Sequence, residues 1–424
     1  MVTRRQFSKY LVGAGAGLAA VNDRAMALDS PEEQGELVIS NGGPSPDCDI
    51  VIKGGTVIDP GQKLHTKLDV AVKNGKILEV SRDIPASRGH KVISAEGKLV
   101  TPGLIDVHAH VFEAVGQGGV SADRTCLTRG VTTVVDAGSA GYSLIPGLRK
   151  YVIDASSTRI YALVDIGALG LVVGIDNAMQ NLDWVDPALA AQAAESNKPA
   201  VVGIKVRLQE SIEGKKDIEC LKRGLAAAKA AHMPLMVHIQ GPYSPLDAIL
   251  ALMRKGDVLT HCYNGGKHNV LDDKGKVLSC VWEAQKRGVI FDAAHGFHHL
   301  DFRVAEKCIQ QGFIADTLST DLTLHVVHGP VYDLPTTLSK FMALGMTLDQ
   351  VIERATSKAV PLFDWGVDVG TLRPGSEADI AIFELREGTF EFMDNYGQRR
   401  SGHQKLIPLA TCSGRLFQSG WLLD

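Results

Sequence analysis

Short apolar runs alternate with amphipathic segments through residues 101–364 of the chain. Eight runs have the length of strands: 104–107, 132–135, 160–166, 201–206, 235–237, 258–260, 289–291 and 317–319. Apolar residues at helical spacing predict helices at 217–232, 245–255, 281–287, 301–311, 334–344 and 348–358. Strands that alternate with helices indicate a parallel sheet, and eight such repeats predict a (β/α)8 TIM barrel.

The segments on either side of this α/β region have the pattern of short β-strands. Asn74 and Gly75 stand between two β-rich runs, which is a strong hairpin signal. A turn cluster at 370–375 precedes another apolar run at 378–383. We therefore predict that residues 49–100 and 365–424 join into one small β-sandwich-like domain beside the barrel.

The first 27 residues have the features of an export signal. Arg4 and Arg5 precede a weakly apolar run at 10–20, and residues 25–27 fit an A-x-A cleavage pattern. The segment resembles a twin-arginine signal, which predicts a periplasmic or secreted protein. A basic leader on a cytoplasmic protein is the alternative. The apolar run is too short to span a bilayer, so we expect no stable membrane anchor. Residues 28–48 are polar and predict a linker.

Composition narrows the function classes. The chain has 424 residues, of which 45% are apolar and 22% charged, as in ordinary soluble globular proteins. A formal net charge of −4 argues against nucleic-acid binding by bulk charge. The seven cysteines are scattered and contain no CxxC pair, so we expect small buried residues rather than disulfides or a thiolate zinc site.

Metal-ligand residue types follow several predicted strands at their C-terminal ends, where barrel active sites lie. His108 and His110 are two apart on a strand, so both imidazoles point to one face and can reach one metal. Lys205 lies within an apolar run, where a charged amine is costly. It is either a core lysine that extends to the barrel rim or a neutral lysine that carries a carbamate.

Three further predicted strands end in His238, His261 and Asp321. Together, five strand ends deliver His-x-His, Lys, His, His and Asp, which is a complete ligand set for two metals. Nitrogen and oxygen ligands of these kinds suit divalent cations, with zinc expected first.

The sequence VTPGLIDVHAH at residues 100–110 resembles the signature of the amidohydrolase superfamily. Residues 49–59 and 370–383 resemble the opening and closing β segments of that superfamily. GIKVR at 203–207 and DTLSTD at 316–321 are most similar to its metal-dependent deacetylase group, which is close to the dihydroorotases. The resemblance covers about residues 49–385.

This resemblance implies two divalent metal ions held by His108, His110, Lys205, His238, His261 and Asp321. Lys205 would be N6-carboxylysine and would bridge the two ions. A hydroxide shared by the metals would attack an acyl carbonyl, and Asp321 would take up the proton and pass it to the leaving group.

The resemblance implies a hydrolase that removes an acyl group, with acetyl favoured, from a small O-acylated 2-hydroxy acid or N-acyl amino acid. A cyclic-amide hydrolase that resembles dihydroorotase or hydantoinase is the alternative, because the fold alone cannot separate the two. A catalytically inactive scaffold would have lost metal ligands, and all six are present. We expect a small-molecule substrate, and a homo-oligomer is left open.

Candidate substrate contacts are less specific. Arg207, or Arg124, could pair with a substrate carboxylate, although a structural ion pair explains Arg207 equally well. Asn264 lies in the loop after His261, and His295 follows the seventh run. Ordinary loop roles are the alternative for both Asn264 and His295.

The remaining histidines of these loops are expected to lie outside the site. His298 and His299 are predicted to begin a helix. His268, His325 and His328 are predicted to be polar surface groups.

Overall fold

The computed structural model describes residues 37–116, 118–174, 179–414 and 416–419. The predicted export signal at 1–27 lies outside the described residues, as do residues 28–36 of the predicted linker. Within the linker range, Val38–Asn41 forms strand β1. Its backbone pairs antiparallel with a later strand, so this part of the range belongs to a sheet.

A curled parallel sheet forms the centre of the protein, and its strands follow one another in chain order. The strands are β7 Leu104–Ala109, β8 Val131–Asp136, β9 Arg159–Asp165, β10 Val201–Leu208, β11 Leu235–Ile239, β12 Val258–Thr260 and β13 Ile290–Asp292. Each coincides with a predicted apolar run. These runs are almost continuously apolar because both faces of a barrel strand are buried.

The eighth predicted strand closes the barrel through single bridges rather than a regular ladder. Thr317 bridges Asp292 at the end of β13, and Leu322 bridges Ala109 at the end of β7. Asp321 between them has a φ of 49°, which interrupts an extended strand. The closed barrel is thus confirmed, with an irregular closing segment that ends at a candidate site residue.

Helices cover the outside of the barrel. They are α1 Ala122–Thr125, α2 Ile145–Tyr151, α3 Pro187–Ser196, α4 Glu210–Glu213, α5 Asp217–Ala230, α6 Leu246–Leu252, α7 Ser279–Arg287, α8 Phe302–Gln310, α9 Leu334–Ala343 and α10 Leu348–Arg354. All six predicted helices are present; five have shorter bounds than predicted, and α7 begins two residues earlier than predicted. Capping residues mark the starts of two of these helices. The carboxylate of Asp333 accepts a hydrogen bond from Thr336 N at the start of α9, and Thr347 forms a capping box with Gln350 at the start of α10.

The two terminal segments form one connected nine-stranded sheet. Its strands are β1, β2 Cys48–Asp59, β3 Leu64–Lys73, β4 Lys76–Ser81, β5 Gly89–Ser94, β6 Leu99–Pro102, β14 Asp379–Met393, β15 Arg399–Ser413 and β16 Leu416–Ser419. Strand β6 pairs antiparallel with β14, which joins the N-terminal strands to the C-terminal ones. The predicted union of the two ends is confirmed.

Two further observations concern the part of the chain that the structure describes. All seven cysteines are free, and six of them are buried. Among the described helices, none combines the length and the apolar character needed to cross a bilayer.

Candidate active site

All six predicted ligand side chains are buried together at the C-terminal ends of the barrel strands. They are His108 in β7, His110 one residue beyond it, Lys205 in β10, His238 in β11, His261 one residue after β12, and Asp321 in the closing segment. Parallel strands place these ends at one edge of the sheet, which is why residues far apart in sequence meet.

Asp321 lies at the centre of the group. Its Oδ1 is 3.1 Å from His110 Nε2 and 3.4 Å from His108 Nε2. Its Oδ2 is 4.0 Å from His261 Nε2. Lys205 Nζ lies 3.3 Å from His108 Nε2. The donor atoms of His108, His261 and Asp321 all lie within 4.8 Å of one another, as expected of groups that share an ion.

Two histidines present free ring nitrogens to this centre. His261 Nδ1 donates to the Ala294 carbonyl at 2.9 Å, so its proton is on Nδ1 and Nε2 carries a lone pair. Nε2 of His261 and Nε2 of His238 are buried and lack a hydrogen-bond partner among the described residues. A buried polar atom without a partner is unfavourable, and a metal ion would satisfy both nitrogens.

His108 is oriented by a chain of hydrogen bonds behind the site. The Thr260 hydroxyl donates to Asp292 Oδ2 at 2.7 Å and therefore accepts from His108 Nδ1 at 2.9 Å. This arrangement leaves the His108 Nε2 lone pair facing the centre. On the other side, His110 Nδ1 is 2.8 Å from Ser139 Oγ, which likewise turns its Nε2 inward. Such outer contacts fix the tautomer of metal-binding histidines.

Burial shifts the pKa values of several of the clustered side chains and so determines which of them are charged. Burial keeps the pKa of His108, His238 and His261 well below its ordinary value, so these imidazoles are neutral. Burial, with the nearby Arg207, lowers the pKa of Lys205 to about 7. Burial alone would raise the pKa of Asp321, but hydrogen bonds from neighbouring histidines, among them the one from His299 Nδ1, hold it well below its usual range. The centre therefore offers neutral nitrogens and an anionic carboxylate.

His299 is the residue that the sequence did not place in the site. Its Nδ1 is 2.9 Å from Asp321 Oδ2, and its Nε2 is 2.8 Å from Gln240 Oε1. Its ring centroid is 3.8 Å from that of His261. The prediction that His299 begins a helix is wrong, because α8 begins at Phe302 and His299 lies buried in the preceding loop.

Arg207 lies on the same face of β10 as Lys205, as predicted from strand alternation, and is buried. Its guanidinium forms an ion pair with Asp165 and donates to the carbonyls of Ala137 and Gly138 at 3.4 and 3.2 Å. A substrate carboxylate would have to compete with these partners. Arg207 as a substrate contact stays a prediction.

The other candidate substrate contacts also have protein partners. Asn264 Nδ2 donates to the His261 carbonyl at 2.8 Å, which shapes the loop after β12. His295 is buried with Nε2 2.7 Å from Lys340 Nζ. Arg124 pairs with Glu113 at the surface.

The remaining loop histidines are less enclosed than the ligand set. His298 is exposed and, like His299, lies before α8 rather than beginning it. His325 and His328 are exposed, as predicted, and His268 is half-buried.

Known proteins with similar sequences include deacetylases, and the family model that matches is that of the amidohydrolases. A model of the amidohydrolase family matches residues 99–404. A deacetylase of Enterococcus faecalis is 33% identical over 87% of this chain and 98% of its own length. A deacetylase of Brucella anthropi is 31% identical over 77% of this chain and 81% of its own length.

Solved structures share the whole architecture. The crystal structure of an adenine deaminase superposes with a TM-score of 0.82 at 33% identity, covering 88% of this chain and 100% of that one. The crystal structure of a dihydroorotase has a TM-score of 0.79 at 28% identity, covering 87% and 98%.

Proposed function

This chain belongs to the amidohydrolase family, and from that premise we propose which bond it hydrolyses. Its substrate is a small O-acylated 2-hydroxy acid or N-acyl amino acid, and the acyl group removed is acetyl. The alignment with two deacetylases along most of the chain supports this choice over a cyclic-amide substrate.

The observation that carries the proposal is the pair of buried Nε2 atoms on His238 and His261 without hydrogen-bond partners among the described residues. His261 Nε2 lies 4.0 Å from Asp321 Oδ2, and the His238 ring packs against the rings of His261 and His299. This donor set fits two divalent cations, zinc first. In the proposed assignment, His108, His110 and Asp321 hold one ion. Divalent cations bound there would lower the pKa of a water molecule and polarise an acyl carbonyl.

Lys205 is proposed to complete the set as a carbamate. Its Nζ is fully buried, and its contacts are His108 Nε2 at 3.3 Å and Met236 Sδ at 3.5 Å, neither of which is a carboxylate. A buried ammonium with such partners is costly. When the neutral amine attacks carbon dioxide, an N–C bond forms, one C=O π bond opens to give the carboxylate, and one proton leaves the nitrogen. The resulting anionic group could share an ion with His238 and His261. Intact mass measured under native conditions, with and without bicarbonate, tests this modification.

Asp321 is proposed to move the proton. Its Oδ1 faces His108 and His110, whereas its Oδ2 faces His299 and His261. In the proposed reaction Oδ2 accepts a proton from the attacking water and delivers it to the departing oxygen or nitrogen. Asp321→Asn removes this basic oxygen with little change of shape and should abolish turnover.

Acetate release by the zinc-loaded protein is the decisive test. The substrate panel contains both enantiomers of acetylated 2-hydroxy acids and of N-acetyl amino acids, together with dihydroorotate, hydantoin and adenine. A kcat/KM of about 10⁴ M⁻¹s⁻¹ or more for acetate release, lost in Asp321→Asn, is the expected result. Ring opening of dihydroorotate or hydantoin without acetate release would contradict the proposal and indicate a cyclic-amide hydrolase. Ammonia release from adenine would also contradict the proposal.

We further propose that the protein acts in the periplasm or outside the cell. The support is the Arg4 and Arg5 pair before a short apolar run and an A-x-A pattern. A reporter fused to residues 1–35 should leave the cytoplasm, and a fusion with both arginines changed to lysine should not. A reporter retained in the cytoplasm by the unchanged leader would contradict the proposal.

A further inference from the structure

A long hairpin reaches from the terminal sheet to the loop that carries His299. Strands β14 and β15 pair along their length, and residues 394–396, the first three of their connecting turn at 394–398, lie against the loop at 294–302. Hydrogen bonds from five different atoms of the turn join the two segments: Asp394 Oδ2 with Phe302 N at 2.8 Å, Asn395 Oδ1 with Leu300 N at 3.1 Å, Asn395 N with Leu300 O at 3.3 Å, Asn395 Nδ2 with Gly296 O at 2.9 Å, and Tyr396 Oη with His298 O at 3.0 Å.

The held loop packs directly against the reacting carboxylate. Gly296 has a φ of 52°, and a Cβ placed on it would lie 2.1 Å from Asp321 Oδ2 and 2.3 Å from His299 Nδ1. The loop backbone at Gly296 is thus in direct contact with this pair. A small shift of Gly296 would therefore move the contact between His299 and Asp321.

Further contacts of the same turn tie it to the rest of the site. The hydroxyl of Tyr396 accepts from Gly265 N at 3.1 Å, in the loop that follows His261. Lys340 is buried in α9; its Nζ donates to the Met393 carbonyl at 2.9 Å and lies 2.7 Å from His295 Nε2. The turn is thus connected to two loops of the barrel face.

We propose that Asn395 and Tyr396 are positioning residues for the active site. They hold the loop at 294–302 so that His299 Nδ1 stays against Asp321 Oδ2. Each acts on Asp321 through the loop backbone. This role rests on the proposed function, because it matters for turnover only if Asp321 moves the proton.

Three variants and one control test the role. Asn395→Ala removes both side-chain bonds to the loop, and Tyr396→Phe removes the hydroxyl that joins two loops. Asn395→Asp keeps an oxygen for Leu300 N but loses the donor to Gly296. The control is Gln404→Ala, which removes a 2.7 Å bond to Glu387 on the exposed part of the same hairpin.

The expected result is a selective loss of turnover. In Asn395→Ala and Tyr396→Phe, kcat should fall about tenfold with KM within about twofold of wild type, because outer contacts that orient an active site typically contribute factors of this size. Asn395→Asp should recover part of the loss, and Gln404→Ala should match wild type. Hydrogen exchange of the amides at 296–302 should be faster in the first two variants only.

An unchanged kcat in both Asn395→Ala and Tyr396→Phe would overturn the proposal, as would unchanged exchange at 296–302. If the wild-type protein hydrolyses nothing in the panel, the proposed function fails and zinc affinity decides this inference instead. Competition with a chelator should then show zinc binding about tenfold weaker in Asn395→Ala than in Gln404→Ala. Equal affinities would overturn it.

Discussion

Replacing Gly296 by alanine should nearly abolish activity, because the added methyl group would meet the Asp321 carboxylate, which we propose moves the proton. The new Cβ would lie 2.1 Å from Asp321 Oδ2, whereas ordinary contact begins at 3.4 Å, so one of them must move by about 1.3 Å. A misplacement of about 1 Å at reacting groups can cost about 100-fold in rate. We therefore expect kcat/KM to fall at least about 100-fold, or about 2.7 kcal/mol.

The assay compares Gly296→Ala with Gly414→Ala in acetate release, bound zinc and melting temperature. Gly414 has a φ of 60°, and a Cβ placed on it would have nothing within 4 Å, so this control carries the same backbone strain without the clash. That strain costs about 1–2 kcal/mol and should lower the melting temperature of both variants slightly. A Gly296→Ala protein that keeps more than a tenth of the wild-type kcat/KM would refute the steric reasoning.

Three other predictions follow from the site and its surroundings. His261→Ala should bind one zinc ion fewer per chain than wild type after equilibrium dialysis; equal zinc content would contradict its assignment as a ligand. Zinc added to chelator-treated protein at 100 times its Kd should stabilise the fold by about 2.7 kcal/mol, measured by denaturant unfolding, and no stabilisation would argue against a metal site. Burial raises the pKa of Glu213 to about 9 from 4.5, and its Oε2 lacks a hydrogen-bond partner among the described residues. The folded protein thus keeps a proton that the unfolded chain releases, so wild-type stability should fall as pH rises from about 4.5 to 9, by on the order of 3 kcal/mol at pH 7. Glu213→Gln should lack this fall, and parallel pH profiles of the two proteins would contradict the raised pKa.

The strands, and the meeting of the proposed metal ligands at their ends, could be predicted from sequence because strand geometry is regular. A barrel strand is buried on both faces, so its run of apolar residues is nearly continuous and easy to recognise. Side chains alternate along it, so Lys205 and Arg207 must share a face. The parallel order then brings His108, His238 and Asp321 to one edge without any knowledge of the loops.

The partner of the Arg207 guanidinium could not be predicted from strand alternation. Alternation placed its guanidinium on the inner face but did not distinguish a substrate carboxylate from a protein one. The structure pairs it with Asp165, which ends the neighbouring strand β9. Asp165 ends an apolar run much as Asp321 does, and only the three-dimensional register separates the two roles.

His299 could not be predicted because its direction depends on contacts that are remote in sequence. His299 lies three residues after Gly296, which has a left-handed backbone conformation. The side-chain periods of a strand (two residues) and of a helix (3.6 residues) do not apply through such a turn. Gly296 is held by hydrogen bonds with Thr320, 24 residues later, and with Asn395, 99 residues later. A histidine in a loop therefore gives no sequence signal of its orientation, even where it contacts the Asp321 carboxylate.

The difference between regular strands and irregular loops also bears on which substrate a member of this family accepts. The adenine deaminase and the dihydroorotase that resemble this chain share one architecture, so the barrel cannot by itself decide which bond is hydrolysed. In this chain the strands carry the proposed metal ligands, whereas the loop at 294–302 carries His299 and is hydrogen-bonded to the hairpin turn. Specificity should therefore change most readily through the loops and the turn, while the proposed ligands on the strands stay the same.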